Sequence, residues 1–308
     1  MVQCNVFMFP GQGSQTEKMG YELWEKHDSA KQLFNLASEI YGEDLVELCY
    51  NSPFSVMKRT DHAQMALVTV SILCYDLLYE QGIRPRLVMG HSAGESAALY
   101  ASGILSKEDA LRLACYRGKA MYSAATNHPG KMVAVLGAFV EDIRNIIQEV
   151  KQENEVLDIS NYNSPNETVV SGDTEAVTRF QSELRQRKLG RCIDLKQQGA
   201  WHSLHMLEAK KQFAESIQKI EFMTPRTPMI FNYDAAFADK PHKIRENVIN
   251  LLASSVRWTE CVDNVIPYLS NNAVFYEVGP NKILGGLLKQ CLQHKDINFS
   301  YFETLGKN

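Results

Sequence analysis

The segment 86–102 constrains the fold more than any other part of this sequence. A short apolar run, Arg86-Leu-Val-Met89, leads into Gly90-His-Ser-Ala-Gly94, and an alanine-rich stretch follows. The pattern predicts a buried strand, a sharp turn and a helix over about 93–102. Such a turn holds Ser92 strained and exposed for nucleophilic attack, and its flanking glycines avoid the neighbouring strand and helix. An ordinary strand-to-helix connection has the same letters, so this motif alone favours neither interpretation.

The composition is that of an ordinary soluble protein. The 308 residues are 45% apolar and 22% charged, and the formal net charge is -4. A small negative charge produces no electrostatic potential that would attract nucleic acid. The seven cysteines are scattered and include no C-x-x-C pair, a pattern that favours a reducing compartment over disulfides or zinc. The first ten residues lack a basic segment and a long apolar run. We predict a cytoplasmic chain with no nucleic-acid or membrane partner.

Strands and helices alternate from the first residues onward, which predicts the α/β class. Residues 5–9 have the pattern of a buried strand that ends in the glycine-rich loop 10–15. Helical patterns follow at about 18–49 and at 63–82. The second of these is apolar nearly all round, so we expect a buried helix there.

The order of predicted strands and helices changes between residues 128 and 198. A strand, a helix, two strands, a helix and a strand are predicted there, at 131–136, 140–152, 156–160, 167–171, 174–188 and 191–195. The order βαββαβ is the ferredoxin-like arrangement. We predict an inserted subdomain at 128–198, within a larger domain built from 1–127 and 199–308.

The loop Pro10-Gly-Gln-Gly-Ser-Gln15 exposes backbone amides. It lacks the Lys-Ser/Thr ending of a phosphate-binding P-loop and the spacing of a dinucleotide fingerprint. A better explanation is that Gln12 lends one backbone N–H to an oxyanion at Ser92, with Ala93 supplying the second. Two amides from separate loops are what an acyl-transfer site requires.

Seven motifs follow one another between residue 5 and about 290: Phe9-Pro-Gly-Gln-Gly-Ser-Gln15, Gly90-His-Ser-Ala-Gly-Glu95, Tyr116-Arg-Gly-Lys-Ala-Met121, Asn161-Tyr-Asn-Ser-Pro165, Ala200-Trp-His-Ser203, Ser255-Val-Arg-Trp258 and Tyr276-Glu-Val-Gly-Pro280. In their sequence and order they resemble a known enzyme family, the malonyl-CoA:acyl carrier protein transacylases and related polyketide synthase acyltransferase domains. The resemblance implies an α/β-hydrolase-like core with a ferredoxin-like insert, which agrees with the pattern above. It also implies malonyl-CoA as substrate, an acyl carrier protein as partner, and no metal or bound cofactor.

The resemblance makes Ser92 the nucleophile and His202 its general base. Without it, His91, His202 and His205 rank equally as candidate bases; with it, His91 is a structural neighbour of the turn. In the family a backbone carbonyl, rather than an Asp, orients the base. The matching segment begins at Asn250, where the family usually has Gln, and we expect a main-chain contact to survive that exchange.

Arg117 and Trp201 are the predicted selectors of the acyl group. Arg117 lies in an apolar helical pattern, where an arginine either snorkels to the surface or meets a carboxylate. The resemblance favours a bidentate clamp on the free carboxylate of a malonyl group. Trp201 suggests a pocket closed to α-branched acyl groups, whereas the small Ala93 and Ser96 open some volume beside it.

These observations predict a ping-pong acyltransferase of fatty acid or polyketide synthesis. A malonyl group would pass from malonyl-CoA through a Ser92 ester to the phosphopantetheine thiol of an acyl carrier protein. The alternatives are an acyl hydrolase that clears stalled acyl groups from carrier proteins, and a non-catalytic scaffold. We expect a monomer, and the basic stretch Arg185–Arg191 is a candidate dock for an acidic carrier protein.

Overall fold

The computed structural model describes residues 4–196, 199–270, 272–295 and 297–305. Its strands are β1 (Asn5–Phe9), β2 (Leu87–Gly90), β3 (Lys131–Leu136), β4 (Leu157–Ser164), β5 (Glu167–Gly172), β6 (Arg191–Asp194), β7 (Met229–Ile230), β8 (Ala273–Glu277) and β9 (Phe299–Glu303). Its α-helices are α1 (Tyr21–Lys26), α2 (Asp28–Tyr41), α3 (Phe54–Met57), α4 (Thr60–Glu80), α5 (Glu95–Ala101), α6 (Lys107–Asn127), α7 (Val140–Val150), α8 (Thr174–Gln186), α9 (Leu207–Ser216), α10 (Pro241–Asn250), α11 (Trp258–Val265) and α12 (Leu284–Leu292).

A five-stranded parallel sheet forms the larger layer, in the order β7-β2-β1-β8-β9. Strands β1 and β2 lie inside this sheet and are buried on both faces, which is why they appear in the sequence as continuous apolar runs. The carboxyl ends of neighbouring parallel strands meet at one edge of the sheet. The loop after β1 and the serine turn after β2 therefore lie side by side.

A smaller antiparallel sheet has the order β4-β5-β3-β6. With helices α7 and α8 it forms the predicted ferredoxin-like βαββαβ unit, so the predicted fold class is confirmed. Its first strand begins at Lys131 and its last ends at Asp194. The proposed boundary at residue 198 lies outside the described residues.

Helix α4 is the buried helix that its apolar pattern predicts. It is the helix among the described residues that is long and apolar enough to cross a membrane by length and composition, and 78% of its most apolar window is buried within the protein. Burial of this kind is typical of a core helix in a folded domain.

Two local expectations differ from the structure. The helical pattern over 18–49 is divided between α1 and α2, because His27 has an extended backbone with φ −119° and ψ 123°. The sequence also gave no separate prediction of α11 or β9, which follow loops rich in polar residues. Both elements belong to the larger layer and leave the topology around Ser92 unchanged.

Candidate active site

Ser92 lies on the sharp turn between β2 and α5. Its backbone has φ 50°, a left-handed conformation that is strained for a residue with a side chain. Cβ atoms added to Gly90 and Gly94 would lie 2.5 Å from the amide nitrogen of Glu95 and 2.1 Å from the carbonyl oxygen of Phe9. The flanking glycines therefore let the turn approach both the following helix and β1, as the sequence predicts.

Ser92 and His202 form a hydrogen-bonded pair, with 2.7 Å between Ser92 Oγ and His202 Nε2. On the other side of the ring, Nδ1 lies 2.8 Å from the carbonyl oxygen of Leu251 and 3.2 Å from that of Ser254. Carbonyl oxygens only accept, so Nδ1 carries the ring proton and Nε2 accepts from the Ser92 hydroxyl. This tautomer is the one that a general base for Ser92 requires.

The sequence-based assignment of Asn250 is corrected by this geometry. The carbonyls that hold His202 belong to Leu251 and Ser254, and the residues lining the cavity at Ser92 do not include Asn250. Asn250 is the last residue of α10, and the chain tightens into a 3₁₀ turn from Leu251 onward. The carbonyl directed at the imidazole is therefore one residue further along the chain than predicted.

The smaller sheet fixes the segment that carries these carbonyls. The Tyr162 amide of β4 donates to Val256 O at 2.9 Å, and the Val256 amide donates back to Ser160 O at 2.9 Å. Ser255 Oγ also donates to the carbonyl oxygen of Ile159 at 2.6 Å. The insert thus holds the segment that orients the base.

Burial keeps His202 neutral. The residue is 4% exposed, and burial, followed by the positive charge of Arg117, lowers its pKa to about 3. The carbonyl contacts of Nδ1 act in the opposite direction. His202 is therefore unprotonated at neutral pH and is able to accept the Ser92 proton as attack proceeds.

Arg117 does not snorkel to the surface. It is 4% exposed; its Nη1 donates to Gln64 Oε1 at 2.6 Å and its Nη2 to Ser92 Oγ at 3.1 Å. Burial lowers its pKa to about 10, so it remains charged at neutral pH. Burial also raises the pKa of Glu95, which acts on Arg117 through space, to about 8. Arg117 is a buried cation whose direct partners are uncharged, which is costly unless an anion binds there.

The predicted oxyanion groups lie beside Ser92. Ala93 is in the first turn of a 3₁₀ helix, Ser92–Gly94, where backbone N–H groups lack an acceptor within the helix. Gln12 lines the same cavity as Ser92, and its Oε1 accepts from Thr60 Oγ1 at 2.7 Å. A Cβ on the preceding Gly11 would lie 2.5 Å from the carbonyl oxygen of His91. The glycine therefore lets this loop reach the serine turn.

A cavity of about 100 Å³ joins these groups, and residues of both the larger domain and the insert line it. It is lined by Gln12, His91, Ser92, Arg117, Met121, Met132, Asn161, Asn163, Val169, Leu195, Trp201 and His202. Trp201 is 4% exposed, and its carbonyl oxygen accepts from Ser171 Oγ at 3.0 Å. Trp201 is one of the residues that line this cavity, and its bulk agrees with the predicted small acyl pocket.

Asn232 is a site residue that the sequence did not reveal. It is completely buried; its Oδ1 accepts from the Ser92 amide at 2.7 Å and its Nδ2 donates to Gly90 O at 2.8 Å. Its own amide donates to Glu95 Oε1 at 2.6 Å. Asn232 follows the short strand β7, which pairs with β2. Its side chain therefore stabilises the strained turn at the end of the neighbouring strand.

His91 and the basic stretch are also placed by the structure. His91 Nε2 donates to Asn163 Oδ1 at 2.9 Å, and its ring meets Trp258 edge-on at 5.4 Å, as expected for a structural neighbour of the turn.

Within the stretch Arg185–Arg191, the Arg187 guanidinium is paired with Glu149 and Glu183. Arg187 is therefore occupied within the insert, which weakens the case for this stretch as a docking site.

Residues 6–306 match the acyl transferase domain family. The chain belongs to this family. This acyltransferase is 34% identical over 300 residues to the malonyl CoA-acyl carrier protein transacylase of Bacillus subtilis, with 97% of this chain and 94% of the relative covered. It is 33% identical to the transacylase of that name in Escherichia coli K12, with 93% and 92% covered.

Solved structures agree with the acyltransferase fold. The malonyl-CoA:acyl carrier protein transacylase of Xanthomonas oryzae superposes with a TM-score of 0.90 at 34% identity, covering 97% of this chain and 94% of that one. A malonyl-transacylase in complex with its type II polyketide acyl-carrier protein gives a TM-score of 0.90 at 30% identity, covering 97% and 95%. These relatives are transacylases, which favours transfer over the hydrolase and scaffold alternatives.

Proposed function

We propose that this acyltransferase moves a malonyl group from malonyl-CoA to the phosphopantetheine thiol of an acyl carrier protein. The observation that carries the proposal is the buried Arg117 cation, whose Nη2 lies 3.1 Å from the nucleophile candidate Ser92. A guanidinium forms two parallel hydrogen bonds with a carboxylate, and a malonyl thioester carries a carboxylate two carbons from its reacting carbonyl. One residue thus suits both the charge and the length of the acyl group.

The first half-reaction forms a malonyl ester on Ser92. Ser92 Oγ attacks the thioester carbonyl carbon as its proton passes to His202 Nε2, and the backbone amides of Gln12 and Ala93 stabilise the oxyanion. When the tetrahedral intermediate collapses, the C–S bond breaks. Coenzyme A leaves as the thiol, taking the proton from His202.

The second half-reaction reverses these steps with another thiol. The phosphopantetheine sulfur attacks the ester carbonyl, its proton passes to His202, and the Ser92 oxygen leaves with that proton. A groove of about 380 Å³ also reaches His202 and is lined by residues of both layers, among them Arg144, Ile147, Leu204 and Ser254. We place the thiol arm in this groove, because it connects the base with the surface.

We also propose that residues 128–198 form a subdomain inserted into a larger domain, which is built from residues 1–127 and 199–308. The chain would act as a monomer in the cytoplasm. All seven cysteines are free thiols, which suits a reducing compartment. No group of three or more His, Cys, Asp or Glu that suits a metal ion occurs within the described ranges. Light scattering after size exclusion measures the oligomeric state.

Intact-mass measurement tests the proposed transfer. After mixing with malonyl-CoA, we expect the protein to gain one malonyl group, and the Ser92→Ala variant to gain none. Adding a phosphopantetheinylated acyl carrier protein should then move the group to the carrier faster than water removes it. Hydrolysis without transfer would instead support the hydrolase alternative, and absence of any adduct would support the scaffold.

A further inference from the structure

We propose that Arg117 restrains the nucleophile until the carboxylate of the acyl group draws the guanidinium away. This inference rests on the proposed function and adds a specificity mechanism to it. In the structure Arg117 Nη2 donates to Ser92 Oγ at 3.1 Å, while His202 Nε2 lies 2.7 Å from the same oxygen. The oxygen that must attack the thioester is therefore held by two hydrogen bonds at once.

The contact from Arg117 opposes attack directly. A serine hydroxyl has one proton and two lone pairs; the proton is directed at His202, and the guanidinium engages one lone pair through a charge-assisted hydrogen bond. Attack on a carbonyl carbon needs lone-pair density on Oγ. Withdrawing Nη2 from the oxygen therefore makes Ser92 a better nucleophile without moving the dyad.

A carboxylate provides the means of withdrawal. It is a stronger acceptor for a guanidinium than a neutral hydroxyl, so Nη2 exchanges Ser92 Oγ for the carboxylate of the acyl group. Gln64 limits how far the guanidinium moves: it accepts from Nη1 at 2.6 Å, and its own Nε2 donates to Thr60 Oγ1 at 3.1 Å. A malonyl group releases the serine as it binds, whereas an acetyl group has no carboxylate and leaves the contact in place.

The charge of Arg117 acts in the same direction. After burial, it is the largest influence that lowers the pKa of His202. A bound carboxylate neutralises that charge, so His202 becomes a stronger base at the moment when the dicarboxylic acyl group is seated. Nucleophile and base are thus both improved by one contact with the substrate.

Supplying the malonyl group in two pieces tests the proposal. Acetyl-CoA provides the thioester and sodium formate provides a separate carboxylate, with sodium chloride at equal ionic strength as control. The rate of Ser92 acetylation is followed by quenched intact mass: the Oγ–C bond forms, the C–S bond breaks, and the serine proton leaves with coenzyme A by way of His202. At formate concentrations that compete with malonyl-CoA, we expect acetylation to accelerate about tenfold.

Two variants assign the effect to Arg117. Arg117→Gln should show no response to formate, whereas Lys119→Gln, an exposed cation on the same helix, should respond as the native protein does. Formate that slows acetylation, leaves it unchanged, or never competes with malonyl-CoA would overturn the restraint. Malonylation of Ser92 by malonyl-CoA in the same assay would leave the proposed function standing in that case, and its absence would overturn the proposed function itself.

Discussion

Among single residues, Asn232 stabilises the serine turn, although its neighbours in the sequence do not indicate such a role. Its side chain joins the amide of Ser92, at the start of the 3₁₀ turn, to the carbonyl of Gly90, at the end of β2. Buried backbone groups of this kind need partners. The carboxylate of Glu95 in turn accepts a hydrogen bond from the backbone amide of Asn232. Glu95, which follows the serine turn, therefore has a structural role.

Replacing Asn232 should slow chemistry more than it weakens binding. Asn232→Ala removes both contacts to the turn, so we expect kcat to fall about tenfold to a hundredfold with KM unchanged, because a small displacement of a nucleophile is costly. The matched control is Asn247→Ala, since Asn247 is equally buried and donates to Asp234; it should lower stability and leave kcat unchanged. Equal kcat in the two variants would contradict a positioning role.

The low pKa of His202 predicts an unusual pH profile. A base works only when unprotonated, and protonation of His202 occurs as the pH falls through about 3, compared with about 6.5 for an ordinary histidine. The value of kcat/KM, which reports the free enzyme, should therefore stay level from pH 7 to about pH 5. Stopped-flow acylation with circular dichroism at each pH checks this expectation, and a midpoint near 6.5 would refute it.

The position of the orienting carbonyl gives a simple mutational test. Asn250→Ala should leave kcat/KM unchanged, because the carbonyls on His202 Nδ1 come from Leu251 and Ser254. Leu251→Pro is the contrasting change, since it alters the backbone that carries the nearer carbonyl. We expect Leu251→Pro to reduce the rate of Ser92 acylation strongly. A large loss of kcat/KM in Asn250→Ala would show instead that Asn250 contributes to the site.

Among the elements, the close approach of the serine turn to β1 depends on the glycine that ends the turn, just before α5. A Cβ at Gly94 would lie 2.1 Å from the carbonyl oxygen of Phe9, a contact that needs backbone movement in a central strand. Gly94→Ala should lower the free energy of unfolding by about 1–3 kcal/mol and displace Ser92. Gly286→Ala in α12 meets nothing within 4 Å and should gain up to about 1 kcal/mol from helix propensity. Urea unfolding of both variants, with Ser92 acylation, measures the contrast.

In the whole molecule, the cavity at Ser92 lies between the two layers. Met121 comes from α6 of the larger layer, Met132 from β3 of the insert, and Trp201 from the connection between them. The insert also holds the segment that orients His202. Ser92, His202 and the carbonyls that orient His202 all belong to the larger layer, whereas the insert fixes the segment that carries those carbonyls.

The size of the pocket can be tested at Trp201. Trp201→Ala removes a wall, so the preference for malonyl-CoA over methylmalonyl-CoA should fall by about tenfold, within the range expected for one methyl group. Trp24→Ala, in the aromatic cluster of Tyr21 and Tyr50, should leave the preference unchanged. An unaltered preference in the Trp201 variant would assign acyl selectivity to other residues, Ala93 and Ser96 first.

The sequence by itself determined the α/β alternation, the βαββαβ insert and the identity of Ser92, His202 and Arg117 as candidates. Alternating apolar runs and glycine turns are local properties, and seven ordered motifs are a strong sign of a family. The predicted family, fold class and transferase activity are confirmed by the comparisons, whereas the residue roles stay predictions.

Only the tertiary structure decided how these residues act together. Asn232 is 140 positions from Ser92 and His202 is 110 from it, so no local pattern ties the three to one point. The choice of Leu251 over Asn250 depends on where α10 tightens into a 3₁₀ turn, a matter of one residue that motif matching does not resolve. The burial of Arg117 against Ser92 follows from packing between α4, α6 and the serine turn, and a helical pattern alone fits a snorkelling arginine equally well.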